Sequence, residues 1–228
     1  MSIIETVLFD LDGTLADTAP DLAGALNAVL IEEDRAPLAY EAIRPVVSHG
    51  GIALIRLGFG LEPGAPDFDR LRSLLLEHYR AEIATRTRLF PGMDELLAEL
   101  ERRRMAWGVV TNKPAWLTQP LMTALGLSQR AATIISGDTV PENKPHPAPM
   151  HQACHDTGTA PLSCLYVGDA ERDIVAGRNA GMATLVALWG YLGETDHPGD
   201  WGADGMIEEP QLVLDWLTAT TTVPASNL

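Results

Sequence analysis

The 228-residue chain carries only two cysteines, no apolar run approaching the roughly 20 residues that span a bilayer, and 16 basic residues against 31 acidic ones. Each shortage excludes something. Two thiols, Cys154 and Cys164, cannot build a disulfide framework and are expected to be packed thiols of a reducing compartment. No membrane span is expected. No basic segment leads into an apolar stretch near the start, so a secretory signal is not expected and the cytoplasm is the expected location. The net charge of −15, with a pI near 4.6, speaks against nucleic acid or an anionic membrane as partner, because the protein's field would repel both. An anionic substrate would therefore need a locally cationic site. What is present is ordinary for a globular chain, at 46% hydrophobic and 21% charged residues, and the length suits a core with a smaller inserted unit.

The stretch Ile3–Leu15, IIETVLFDLDGTL, stands out. Ile3, Ile4, Val7, Leu8 and Phe9 form an apolar run rich in β-branched and aromatic residues that stops at Asp10-Leu11-Asp12-Gly13-Thr14. A buried strand thus delivers two carboxylates to its own carboxyl end, and Gly13 permits the sharp turn that follows. Two acids this close repel each other unless a cation lies between them or they share a proton. A plain polar turn is the bland alternative. An EF-hand fails on register, since Thr14, Leu15 and Asp21 stand where a calcium loop needs an acid or amide, a glycine and a glutamate.

Beyond Leu15 the pattern becomes helical. Pro20 fits a first turn capped by Asp17 or Thr18, and Leu22, Leu26, Val29 and Leu30 mark one apolar face. Breaks at Pro37, at Ser48-His49-Gly50-Gly51 and at Pro63-Gly64-Ala65-Pro66 divide the region, whose last helix carries the stripe Phe68, Leu71, Leu75, Tyr79 and Ile83. Residues 17–86 are therefore expected to form a helical cap inserted into a core of residues 1–16 and 87–228. From Leu89 strands and helices alternate, with strands expected at 106–110, 132–135, 164–167 and 183–187. Such alternation implies an α/β fold, a doubly wound parallel sheet covered on both faces. Pro120 is expected to shorten or kink its helix, and the tail from about Thr218 to fray. His151 and His155, four apart, are expected to be solvated helix residues, because Gln152 replaces the glutamate of a zinc-protease helix.

In such a sheet, ligands bind outside the carboxyl ends of the strands. Those ends offer Asp10 and Asp12, then Thr111 and Asn112, then Lys144, then Asp169 with Asp173 four residues on. This set can transfer a phosphoryl group to a carboxylate. Asp10 is the expected nucleophile, and Asp12 the acid that protonates the leaving alcohol and then activates water. Mg2+ is the expected cofactor, held by Asp10, the main-chain carbonyl of Asp12, and Asp169. Thr111, the Asn112 backbone and Lys144 are expected to hold the phosphate oxygens. Asp173 either orients Asp169 or a metal-bound water, or is a helix N-terminal acid opposing the dipole.

FDLDGTL, VVTNKP, NKPHP and VGDAERDIVAGRNAG, in this order and spacing across roughly residues 5–187, resemble the four motifs of the haloacid dehalogenase superfamily. The resemblance implies a Rossmann-like core and, from an insert directly after the first motif, a helical cap. Asp12 separates the chain from the dehalogenase subgroup, which lacks an acid there. Within the superfamily the chain is similar to phosphoglycolate phosphatases, and LFPGMDELLAELE, WGVVTNKP and DWGAD look most like their N-acetylmuramate 6-phosphate phosphatase branch. The implied partner is a small phosphomonoester, N-acetylmuramate 6-phosphate in preference to 2-phosphoglycolate. Both carry a carboxylate. The expected cap contacts are His49, Gly50 and Gly51, with Arg56 either gripping that carboxylate or simply solvated. Glu171-Arg172, where relatives often have Asn, is expected to retune the rim of the site. Two non-enzyme readings compete, a receiver-like signalling domain and a catalytically silent sugar-phosphate sensor. The Asp-x-Asp-Gly-Thr turn and the long insert oppose the first, and the pairing of Asp10 with Asp12 opposes the second.

Overall fold

Strand β1 (Thr6–Phe9) lies at the centre of a six-stranded sheet in the computed structural model of the chain, which describes residues 3–221. It is followed by β2 (Ala16–Asp17), α1 (Ala19–Glu32), α2 (Tyr40–Ile43), α3 (Gly50–Phe59), α4 (Phe68–Ala81) and β3 (Arg88–Leu89). Then come α5 (Met93–Arg102), β4 (Ala106–Val110), α6 (Ala115–Ala124), β5 (Thr133–Ile135), α7 (Ala148–Thr157) and β6 (Cys164–Gly168). The series ends with α8 (Glu171–Ala180), β7 (Ala183–Ala187), β8 (Gly205–Ile207) and α9 (Leu212–Thr221).

The sheet runs β5–β4–β1–β6–β7–β8, and every neighbouring pair is parallel. Because strand side chains alternate, Val7 and Phe9 join one core with Trp107, Leu97 and Val213, while Leu8 joins the other with Tyr166, Met150 and Ala176. Burial on both faces is why these strands read as continuous apolar runs. The fold is a Rossmann-like doubly wound α/β fold. The chain builds β4 and β5 on one side of β1 and β6 to β8 on the other, so strand order reverses at β1, where a crevice opens.

Between Ala19 and Ala81 the described elements are all helical. They bury their own cluster, including Leu26, Ile43, Leu54, Leu75 and Tyr79, and Phe90, Leu117 and Tyr191 reach into it from the sheet side. Fully burying one such leucine contributes about 1.5–3 kcal/mol. The connections to and from this unit are tied by the antiparallel pair β2–β3. Beside them, the buried Asp21 carboxylate accepts the main-chain N–H groups of Arg86 and Thr87 and the Thr87 hydroxyl.

Some expectations need correction. Helix α6 carries Pro120 in its interior and continues to Ala124, so the proline does not end it. The two-residue strands β2 and β3 and the edge strand β8 were not expected, being too short to show a period. Thr18 is the residue before α1, but its hydroxyl makes no cap; the Ala19 N–H donates instead to the Tyr191 hydroxyl at 2.9 Å. The expected fraying begins too early, since α9 continues to Thr221, and the rest of that tail lies outside the described residues. His151 and His155 are exposed as expected, and Cys154 and Cys164 are buried free thiols with sulfurs 3.7 Å apart.

Candidate active site

The end of β1 fixes the first acid. Asp10 N–H donates to Val167 O at 2.9 Å, which continues the pairing with β6 and locks Asp10 beside Gly168 and Asp169. The chain then turns at Gly13, whose φ is 87°. A Cβ there would fall 2.2 Å from Asp169 Oδ2, so only glycine allows the first loop to close against the second acid.

Lys144 stands behind Asp10 rather than on a cavity wall. Its Nζ lies 2.8 Å from both Asp10 Oδ1 and Asp173 Oδ1, and it donates to Val110 O and to the Tyr166 hydroxyl, each at 2.9 Å. An ammonium has three protons for these four oxygens, and Asp10 Oδ1 and Asp173 Oδ1 are left buried, near its charge, without a hydrogen bond. Asn112 positions this loop from below, its side-chain amide bonding both the N–H and the carbonyl of Lys144. Asp169 accepts from the Thr14 and Ser48 hydroxyls and the Tyr191 N–H. Burial, with the Asp10 and Asp173 charges, pushes Asp169 up to about 7. Burial raises Asp173 as well, against the pull of Lys144. Asp173 Oδ2 also accepts the Ala170 N–H at the start of α8, so the helix-terminus expectation for Asp173 describes one of its oxygens.

Asp10, Asp169 and Asp173 offer oxygens within 4.8 Å of one another. Three crowded, buried carboxylates, with only the Lys144 ammonium among them, suit a hard divalent cation of Mg2+ type. The Asp12 carboxylate is outside this cluster. It accepts both from Lys113 Nζ, at 2.8 and 3.0 Å, and from Thr18 Oγ1 at 2.6 Å. The Lys113 ammonium also lies 4.5 Å from the ring centre of Tyr79 on α4. Burial pulls Lys113 down, but Asp12 and Tyr79 outweigh it and hold the ammonium above its ordinary value. Sequence reasoning missed Lys113. A signal existed: the chain has only two lysines, 113 and 144, and both are in this site.

A cavity of about 390 Å3 opens over Asp10 and Asp12. Thr111, Asn112 and Lys113 line its floor, and His49, Gly50, Gly51 and Arg72 line its helical roof. Burial, with the charge of Arg172, lowers His49 from its ordinary value. Arg172 donates to Ser48 O at 2.6 Å, so the departure at Glu171-Arg172 joins sheet to roof. Arg56 is not brought to the cavity. It is exposed on the far side of α3 and paired with Glu62.

The family model for haloacid dehalogenase-like hydrolases matches residues 7–187. The chain belongs to this family. Among haloacid dehalogenase-like hydrolases, an N-acetylmuramic acid 6-phosphate phosphatase of Pseudomonas putida is 42% identical over 207 residues, 91% of this chain and 93% of the relative. A phosphoglycolate phosphatase of Xylella fastidiosa is 44% identical over 208 residues, 91% of this chain and 90% of the relative. The crystal structure of a predicted phosphoglycolate phosphatase from Haemophilus somnus superposes with a TM-score of 0.84 at 28% identity, covering 95% of this chain and 99% of that one.

Proposed function

We propose that this haloacid dehalogenase-like hydrolase is a Mg2+-dependent phosphomonoesterase acting on a small phosphorylated carboxylate, with N-acetylmuramate 6-phosphate the favoured substrate. The observation that carries the reading is Asp10, buried at the strand end, ion-paired from behind to Lys144 and lying under a cavity that also holds Asp12 and Thr111. An Asp10 oxygen attacks phosphorus and the bond to the leaving oxygen breaks, while Asp12 gives that oxygen its proton. Asp12 then takes a proton from water as the water oxygen attacks phosphorus, freeing inorganic phosphate and restoring Asp10. Thr111 and the Asn112 main chain hold phosphate oxygens, and Lys144 balances the charge at Asp10 from behind. Asp10, Asp169 and the Asp12 carbonyl would hold Mg2+, with Asp173 beside them, and the ion when bound would neutralise the crowded oxygens.

The size of the cavity and its apolar walls, from Leu22, Val47, Ile52, Leu76 and Leu117, support a substrate larger than a two-carbon acid. 2-Phosphoglycolate is the second reading, supported by the Xylella fastidiosa relative. The unbridged thiols support a reducing, cytoplasmic setting. Phosphate release over a panel of phosphorylated metabolites tests the proposal. The muramate is expected to head the panel; the phosphoglycolate heading it would move the chain to the other reading, and no release from any member would remove the phosphatase reading.

A further inference from the structure

A substrate with a second anionic group needs a second cation, and the roof of the cavity holds one that nothing else uses. Arg44 is engaged by the carbonyls of Trp189 and Gly190, Arg56 by Glu62, Arg70 by Glu33 and Asp67, and Arg86 by Asp21. Arg72, on α4, has no hydrogen-bond or ion-pair partner among the described residues, and its Nε is buried. Leaving a buried N–H unpaired is unfavourable, and such groups are rare except where something outside the chain completes them.

The placement of Arg72 adds to this. Arg72, Leu76 and Tyr79 fall on one face of α4 and line the cavity together. Across from Arg72 is the first turn of α3, where a Cβ on Gly51 would lie 3.7 Å from Arg72 Nε. The first turn of α3 and the guanidinium thus border the same space. Arg72 is also shared with an adjoining hollow of about 280 Å3, edged by Pro114 and Trp116, so it stands at the boundary between the phosphate cavity and its mouth. Lys113 faces the same cavity but is already paired with Asp12, and His49 is held toward its neutral form.

Resting on the phosphatase reading, we propose that Arg72 is the specificity-determining residue of this enzyme and grips the substrate carboxylate, on the side of the cavity remote from the transferred phosphate. The guanidinium fork matches a carboxylate bidentately, which an ammonium does not. The test compares kcat/KM for N-acetylmuramate 6-phosphate with that for N-acetylglucosamine 6-phosphate, which lacks the 3-O-lactyl group and with it the carboxylate. A second pair, 2-phosphoglycolate and ethyl phosphate, makes the same comparison on a small scaffold. For the native enzyme the sugar ratio is expected to be about tenfold to a hundredfold. Arg72→Met should bring it close to one, with the loss in KM more than in kcat, and Arg72→Lys should restore part of it. Circular dichroism and a thermal melt establish that each variant is folded; if Arg72→Met is not, Arg72→Gln takes its place. Native ratios that survive in both pairs in the folded Met or Gln variant overturn the assignment, as does a native ratio of one in both pairs. A ratio that falls only in the small pair assigns Arg72 to a small carboxylated substrate and overturns the sugar reading alone. Failure of the native enzyme to release phosphate from any of the four compounds would instead overturn the phosphatase reading.

Discussion

At the scale of single residues, the site divides its two neighbouring acids by their partners. Asp10 faces the acidic cluster and Lys144, whereas Asp12, two residues on, faces Lys113 and Thr18. Asp10→Asn should abolish turnover, because an amide is a poor nucleophile and brings no charge to the cluster; mass spectrometry of a quenched reaction should find phosphate on Asp10 of the native chain and on no other residue. Asp12→Asn should still bind phosphate yet slow turnover by at least about a hundredfold, the usual contribution of a placed proton donor. Lys113 holds the Asp12 carboxylate in place, so Lys113→Met is expected to lower kcat by about tenfold or more on alkyl phosphates, with Lys113→Arg recovering part. Steady-state kinetics on the three variants would expose a Lys113 with no such role as a kcat equal to the native one.

At the scale of elements, the joint beneath the helical roof depends on Asp21, which gathers donors from Arg86 and Thr87 at the point where β2 and β3 pair. Asp21→Ala leaves buried N–H groups unpaired and should lower stability by about 2–4 kcal/mol, read from the urea midpoint. A gentler case is the seam between β5 and α7, where Thr133 Oγ1 donates to Asp156 at 2.8 Å. Burial raises Asp156, but the Thr133 and Gln152 hydrogen bonds prevail and hold it below 3.8. A carboxylate with a lowered folded value lends stability above its unfolded value and loses it as pH falls through the folded one. Asp156→Asn should therefore lower the neutral plateau of a melting-temperature profile slightly and flatten its acid limb below about pH 4, the two profiles converging in acid. The strands that carry the site were legible in the sequence because burial on both faces makes them nearly unbroken apolar runs; β8, at an edge and three residues long, left no such trace. Asp10 and Asp169 were legible because each directly follows a strand. Of the two readings open for Arg56, its exposure and its pairing with Glu62 agree with the solvated one, since proximity in sequence to the Gly50-Gly51 turn does not say which way α3 faces. Arg72 could have been found from α4 itself, since steps of four and three residues from 72 reach Leu76 and Tyr79.

For the whole molecule, a phosphatase of net charge −15 has to admit an anionic substrate, and Arg72, Lys113 and Arg172 bring positive charge to the lining of one cavity. Removing divalent ions with a chelator should abolish turnover. Added Mg2+ should restore it and raise the melting temperature with concentration, since an ion that binds only the folded state stabilises it by mass action. Ca2+ should restore little, because its larger, looser shell misplaces the oxygens; full activity in excess chelator would refute the requirement. The concentration of both lysines in the site also has a practical side. Reagents that acylate lysine normally decorate a protein surface at many points with little harm, but here Lys113 and Lys144 have side chains 7% and 0% exposed. Such a reagent finds no harmless lysine to label, so the speed with which it silences the enzyme becomes a clock for how often the buried chamber admits bulk solvent.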